Sequence, residues 1–212
     1  MGGQPERAPG LRGDVRRLLS PGGTHEGRPS LPRALERAVT RPGPLAIVLY
    51  RVSHALWRRG FETPAEILWR INYFLTGADI HPGAEIGGGL RLTHTSGVVI
   101  GKGVRIGSNV TLLHGVTLGG SARGWFDGTF ADGYPVIGDD TEIMAGAKIL
   151  GPITVGRGCF IGANAVLARD LPDGEAFTPG REVADIKKRV EELEQRLADL
   201  QASKRTGGQG HS

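Results

Sequence analysis

Every sixth residue from Ile80 is aliphatic: Ile80, Ile86, Leu92, Val98, Val104, Val110 and Val116, and then, after a break, Ile137, Ile143, Ile149, Val155, Ile161 and Leu167. Glycine punctuates the same blocks, as in "ADIHPGAEIGGG" and "AKILGPITVGRGCFIGAN". Each hexad therefore reads as a short strand with one inward aliphatic residue and a tight corner. An α-helix needs apolar spacing near 3.6 and an antiparallel sheet needs alternation with hairpin turns, and neither keeps a sixfold phase over such a run. Three hexads close one triangular coil of about 18 residues, and coils stacked about 4.8 Å apart form a prism filled by the aliphatic ladder. The reading is a parallel β-helix. Val116 to Ile137 is 21 residues, not a multiple of six, so a loop over 119–136 leaves the prism wall. Long loops on rigid scaffolds often carry function.

The chain before and after the repeat changes character. Residues 1–30 lack periodicity and read as a disordered leader. A helical cap over 31–78 contains helices from about Leu45 to Arg59 and from Pro64 to Thr76. The second starts with Thr63 as N-cap, Pro64 in the first turn and Glu66 three residues after the cap. Its expected buried face is Ile67, Leu68, Ile71, Phe74 and Leu75. The β-helix domain occupies 79–180. Over 181–205, Val183, Ile186, Val190, Leu193, Leu197 and Leu200 alternate steps of three and four, the seam of a short coiled coil, and 206–212 reads as a disordered tail.

Composition narrows the function classes. Residues 1–75 hold 12 arginines, no lysine and 6 acidic residues, against a total formal charge of +4. The excess lies in a Gly/Pro/Arg-rich leader and on amphipathic helices without any nucleic-acid motif, so no nucleic-acid partner is expected. The most apolar stretch, "PLAIVLYRVSHALW", contains Arg51 and His54 and is too short to span a bilayer, so no membrane role is expected. No signal-peptide pattern opens the chain, which points to the cytoplasm. The single cysteine, Cys159, excludes an internal disulfide, and no acid or base adjoins it in sequence to support an acyl-cysteine. No clustered metal ligands are present, and none is expected in the chemistry.

A β-helix is a scaffold, and function must be argued from a site. A lone histidine such as His94 is more often a packing or surface residue than a catalyst, although on a rigid wall its neutral imidazole can serve as a general base. The ordered segments "GADIHPGAEIGGGLRLTHTSGVVIG", "VTLLHGVTLGG" and "PVIGDDTEIMAGAKILGPITVGRGCFIGANAVL", preceded by "LYRVSHALWRRG", resemble the serine O-acetyltransferases of the hexapeptide acyltransferase superfamily. The resemblance covers roughly residues 42–180. It implies a left-handed β-helix, assembly as a homotrimer or a dimer of trimers, and transfer of acetyl from acetyl-CoA to the serine hydroxyl. Position by position, it makes His94 the catalytic histidine and Asp79 the aspartate that orients it. His114 lines the cleft, while Gly120, Ala145, Gly146 and Ala163 lie along the acetyl-CoA groove.

The same resemblance exposes departures. Thr93 stands where the family carries an aspartate before the histidine, and Gly133, Tyr134 and Pro135 stand where it carries Arg-His-Pro. Thr93 and Tyr134 thus become acceptor-binding candidates, and Arg123, the sole basic residue of the loop, becomes the candidate anchor for an anionic acceptor. The tail differs from the isoleucine-ended tail by which many members bind cysteine synthase, which argues against that complex. Serine is the leading acceptor. The alternatives are a sugar or specialised-metabolite hydroxyl, or a noncatalytic trimeric scaffold.

Overall fold

A computed structural model describes residues 10, 13–14, 36, 40–120 and 133–207. Among the described residues, helices α1 (Pro42–Trp57) and α2 (Glu62–Thr76) lead into fourteen short strands from β1 (Asp79–Ile80) to β14 (Ala176–Phe177). The strands stack as three parallel sheets. Sheet A is β1-β4-β7-β10-β13, sheet B is β2-β5-β8-β11, and sheet C is β3-β6-β9-β12-β14. Every third strand returns to the same face, which is the winding that the hexads require. A separate unit from Thr178 contains one helix, α3 (Pro179–Gly207).

The stacking register corrects the sequence reading in one respect. Ile80 lies against Ile100, a step of 20 residues, and Ile100 against Leu118, a step of 18. Two residues are therefore inserted in the corner between β3 (Arg91–Leu92) and β4 (Val99–Ile100). The hexad count passes over them because each hexad buries two residues, one on the strand and one two positions earlier. Ala78 and Ile80, Ala84 and Ile86, Leu90 and Leu92 are such pairs, and all are buried. A two-residue insertion moves the count from one rung to the other. Val98, Val104, Val110 and Val116 are fully buried as read, but as the earlier rung; their strand partners are Ile100, Ile106, Leu112 and Leu118.

The helices close the first coil through hydrogen bonds. Tyr50 Oη donates to the Ala84 carbonyl at 2.7 Å, and Arg51 donates to the carbonyls of Ile86 and Gly87, both at 2.6 Å. Asp14 then faces Arg51 at 2.7 Å and accepts from the Gly89 N–H at 2.8 Å. Asp14 is buried, and residues 10, 13 and 14 are helical, so this part of the expected leader is ordered against the prism.

Helix α2 departs from expectation in its start and in its face. It begins at Glu62 with Phe61 in the cap position and no side-chain cap. Its buried residues are Ala65, Asn72 and Thr76, while Ile67, Ile71, Phe74 and Leu75 are exposed. The reason is polar: Ser53 Oγ donates to the Ala65 carbonyl, Asn72 Nδ2 to the Ala46 carbonyl, and Thr76 Oγ1 to the Asn72 carbonyl. Small residues with satisfied hydrogen bonds let α1 and α2 pack closely, and the larger apolar side chains stay outside.

Candidate active site

The corner between sheets C and A carries the chemistry. At each level the backbone there turns through a left-handed residue: Gly77, Gly97, Gly115, Gly146 and Asn164, with φ of 73, 69, 69, 74 and 57°. Gly97 N–H donates to the Gly77 carbonyl, Gly115 N–H to Ser96, Gly146 N–H to His114 and Asn164 N–H to Ala145. A Cβ added to Gly146 would stand 2.1 Å from Asn164 Oδ1, so glycine is needed there. The result is a straight column of small residues down one edge of the prism.

His94 and His114 occupy successive levels of this column. "LTHTSGVVI" aligned on "LLHGVTL" leaves Thr95 and Ser96 as the inserted pair. The buried Thr95 Oγ1 donates to the Thr76 carbonyl at 2.5 Å, tying the bulged corner to the end of α2. The two imidazoles are exposed and meet edge to face, with centroids 5.9 Å apart at 71°. An open cleft of about 460 Å³ is lined by Pro42, His94, Thr95, Ser96 and His114. Thr93 is exposed beside His94. Lys148 Nζ donates to the Gly115 carbonyl just below His114, placing a cation beside the column.

The other sequence candidates fall in three places. Ala145, Gly146 and Ala163 continue the column beneath His114. Gly120 and Tyr134 lie together at the far edge of sheet A, at the base of the 119–136 loop, and the Tyr134 ring packs over Gly101 and Gly103. Arg123 lies outside the described residues. Asp79 opens β1, two residues beyond Gly77, and its Oδ1 accepts a 2.8 Å hydrogen bond from Trp69 Nε1. Among the described hydrogen bonds, Asp79 is engaged by Trp69 rather than by His94.

Trp69 belongs to an aromatic cluster that sequence reasoning did not identify. His81 stands between Trp57 and Trp69, at centroid distances of 5.3 and 4.7 Å. Its Nδ1 accepts the Gly83 N–H at 2.9 Å, so this nitrogen carries no proton. Burial lowers its pKa below the ordinary value and the Lys102 charge lowers it further, with Asp79 opposing. His54 is lowered in the same way by burial, against its hydrogen bond at 2.8 Å to the Pro82 carbonyl. Burial also raises the pKa of the Tyr50 phenol. These groups brace α1 and α2 on the first coil and leave the Asp79 carboxylate held from one side.

Comparison with known proteins agrees with this architecture. Residues 134–169 match the family model "Bacterial transferase hexapeptide (six repeats)". The chain is 43% identical over 162 residues to the serine acetyltransferase of Mycobacterium tuberculosis, covering 76% of this chain and 66% of that protein. It is 48% identical over 133 residues to the serine acetyltransferase of Helicobacter pylori, covering 63% of this chain and 75% of that protein. Among solved structures, the Neisseria gonorrhoeae serine acetyltransferase in complex with serine superposes with a TM-score of 0.66 at 34% identity, over 78% of this chain and 64% of that one. A serine acetyltransferase in complex with CoA gives 0.67 at 31% identity, over the same shares. With a left-handed β-helix, a histidine pair in its corner cleft and identities of this order, the chain belongs to the serine acetyltransferase family of acyltransferases.

Proposed function

We propose that the chain transfers acetyl from acetyl-CoA to the hydroxyl of serine or a serine-like acceptor, as a trimer in the cytoplasm. The observation that carries this is the cleft in which His94 and His114 face each other above a column of small residues. A pantetheine arm fits a groove whose wall is Ala145, Gly146 and Ala163. The acceptor oxygen attacks the thioester carbonyl while His94 takes its proton; the C–S bond then breaks, and the CoA thiolate leaves with that proton. His114 borders the same space and lines the acceptor side. Asp79, held by Trp69, is the carboxylate that the family resemblance pairs with His94 as its orienting group. The serine and CoA complexes of the related structures support both substrates.

A cleft open on one side calls for a neighbour's wall, which supports the trimer. The exposed apolar stripe of α2, Ile67, Ile71, Phe74 and Leu75, supports further pairing of trimers through these helices. One observation favours another acceptor: Gly133 stands where the family resemblance places the arginine for a substrate carboxylate, and Tyr134 beside it is packed on Gly101 and Gly103, so neither supplies a cation there. A sugar or other hydroxyl compound is the second reading. Both are tested by measuring thiol release from acetyl-CoA against a panel of hydroxyl acceptors, with product masses. Acetylated serine is the expected product; a preferred neutral acceptor selects the second reading, and no release with any hydroxyl overturns both.

A further inference from the structure

Helix α3 carries an exposed apolar seam. Val183, Ile186, Val190, Leu193, Leu197 and Leu200 are between 47 and 63% exposed. Their three-and-four spacing runs along one stripe of a 29-residue helix whose remaining described side chains are exposed and mostly charged. A stripe of this kind is buried by another helix. We propose that α3 is a parallel homotypic coiled-coil clamp, its seam covered by the same seam of two further copies of this chain.

Three features select that occupant. First, the flanks match themselves in parallel: with Val183, Val190 and Leu197 at one core position and Ile186, Leu193 and Leu200 at the other, Arg189 faces Glu194 of the next copy. An antiparallel pair would instead set Arg189 against Arg196, cancelling what Lys187 against Glu194 supplies. Second, Val183, Val190, Leu193 and Leu200 follow the two-stranded arrangement of β-branched residue and leucine whereas Ile186 and Leu197 reverse it, so the core is mixed and admits three strands. Third, only Thr178 separates β14 from α3, so copies related by a rotation axis all start their helices at one level. About two and a half heptads are marginal for an isolated helix. Assembly of the bodies raises the local concentration to the millimolar range and lets the seam close. The clamp is thus conditional on the body, and its three-strand count rests on the trimer proposed above.

Cysteine placement in the full-length chain tests this. Leu200→Cys and Leu193→Cys sit in the seam and Gln195→Cys on the outer face; the parent chain, whose Cys159 is buried, is the baseline. With a short bismaleimide, both seam variants should link to a ceiling of about two thirds of chains, because one two-armed reagent joins two of three thiols on one axis. Gln195→Cys should stay unlinked. Linkage at Leu193 without Leu200 means an antiparallel seam, since the Leu200 ends then lie about 26 Å from the partner's matching end, and overturns the proposal. Linkage to completion means two strands and overturns the count. Equal or absent linkage at all three sites overturns the seam. Light scattering on the same samples separates the two readings: a three-chain mass without seam linkage leaves the trimer standing and removes only the clamp.

Discussion

His94 owes its setting to two residues that the repeat does not need. Thr95 and Ser96 swell one corner of an otherwise regular prism, and the Thr95 hydroxyl pins that bulge to the end of α2. Replacing His94 with Ala should lower turnover by about 100 to 10,000 fold, the usual contribution of a positioned general base. Its melting temperature should not move, because the side chain is exposed; unchanged turnover would remove His94 from the mechanism. Trp69→Phe keeps the aromatic packing around His81 but deletes the donor to Asp79. Turnover should fall and its pH profile should shift, with Asp79→Asn shifting the profile likewise. A Trp69→Phe enzyme with the parent profile would make that hydrogen bond merely structural. His94, His114 and the small residues beneath them were legible from motif order. Trp69 was not, because its partner is fixed by how α2 lies on the first coil, and nothing local in the sequence records that.

At the scale of elements, the helical cap is held more by polar groups than by its apolar stripe. Arg51 donates to two first-coil carbonyls and to Asp14 from a nearly enclosed position. Arg51→Ala leaves the Asp14 carboxylate buried without its partner, and chemical denaturation should show a loss of about 3 kcal/mol. Hydropathy spacing placed the wrong face of α2 inside, since it cannot see that Asn72 satisfies its amide on the Ala46 carbonyl of α1 and that Thr76 satisfies its hydroxyl on Asn72. The cap also titrates. His81 and His54 both have pKa values lowered on folding, so the unfolded chain binds more protons. Stability from these two groups is fully present above about pH 6.5 and declines as pH falls from there towards the folded values. Melting temperature followed from pH 7.5 to 5.5 should drop less in His81→Asn, whose amide oxygen can still accept the Gly83 N–H without titrating. An identical slope would mean that His81 is not the sensor.

For the whole molecule, the prism was readable because stacking repeats the same demand at every coil. Its aliphatic rungs must be filled whatever the corners do. The insertion was hidden by that same redundancy: Val98 satisfies the sixfold count while Ile100 occupies the strand. Light scattering should give a mass of three chains or six, and a fully active monomer would show that the cleft needs no neighbour. The two rungs per hexad also bear on how such an enzyme can change. Excising Thr95 and Ser96 together returns the first coil to the length of the next and leaves every aliphatic rung occupied, so the product should still wind and melt cooperatively while losing acyl transfer. The setting of His94 thus rests on a two-residue insertion that the aliphatic ladder does not require. A lineage could therefore move between catalyst and inert solenoid through one short in-frame deletion, without crossing an unfolded intermediate.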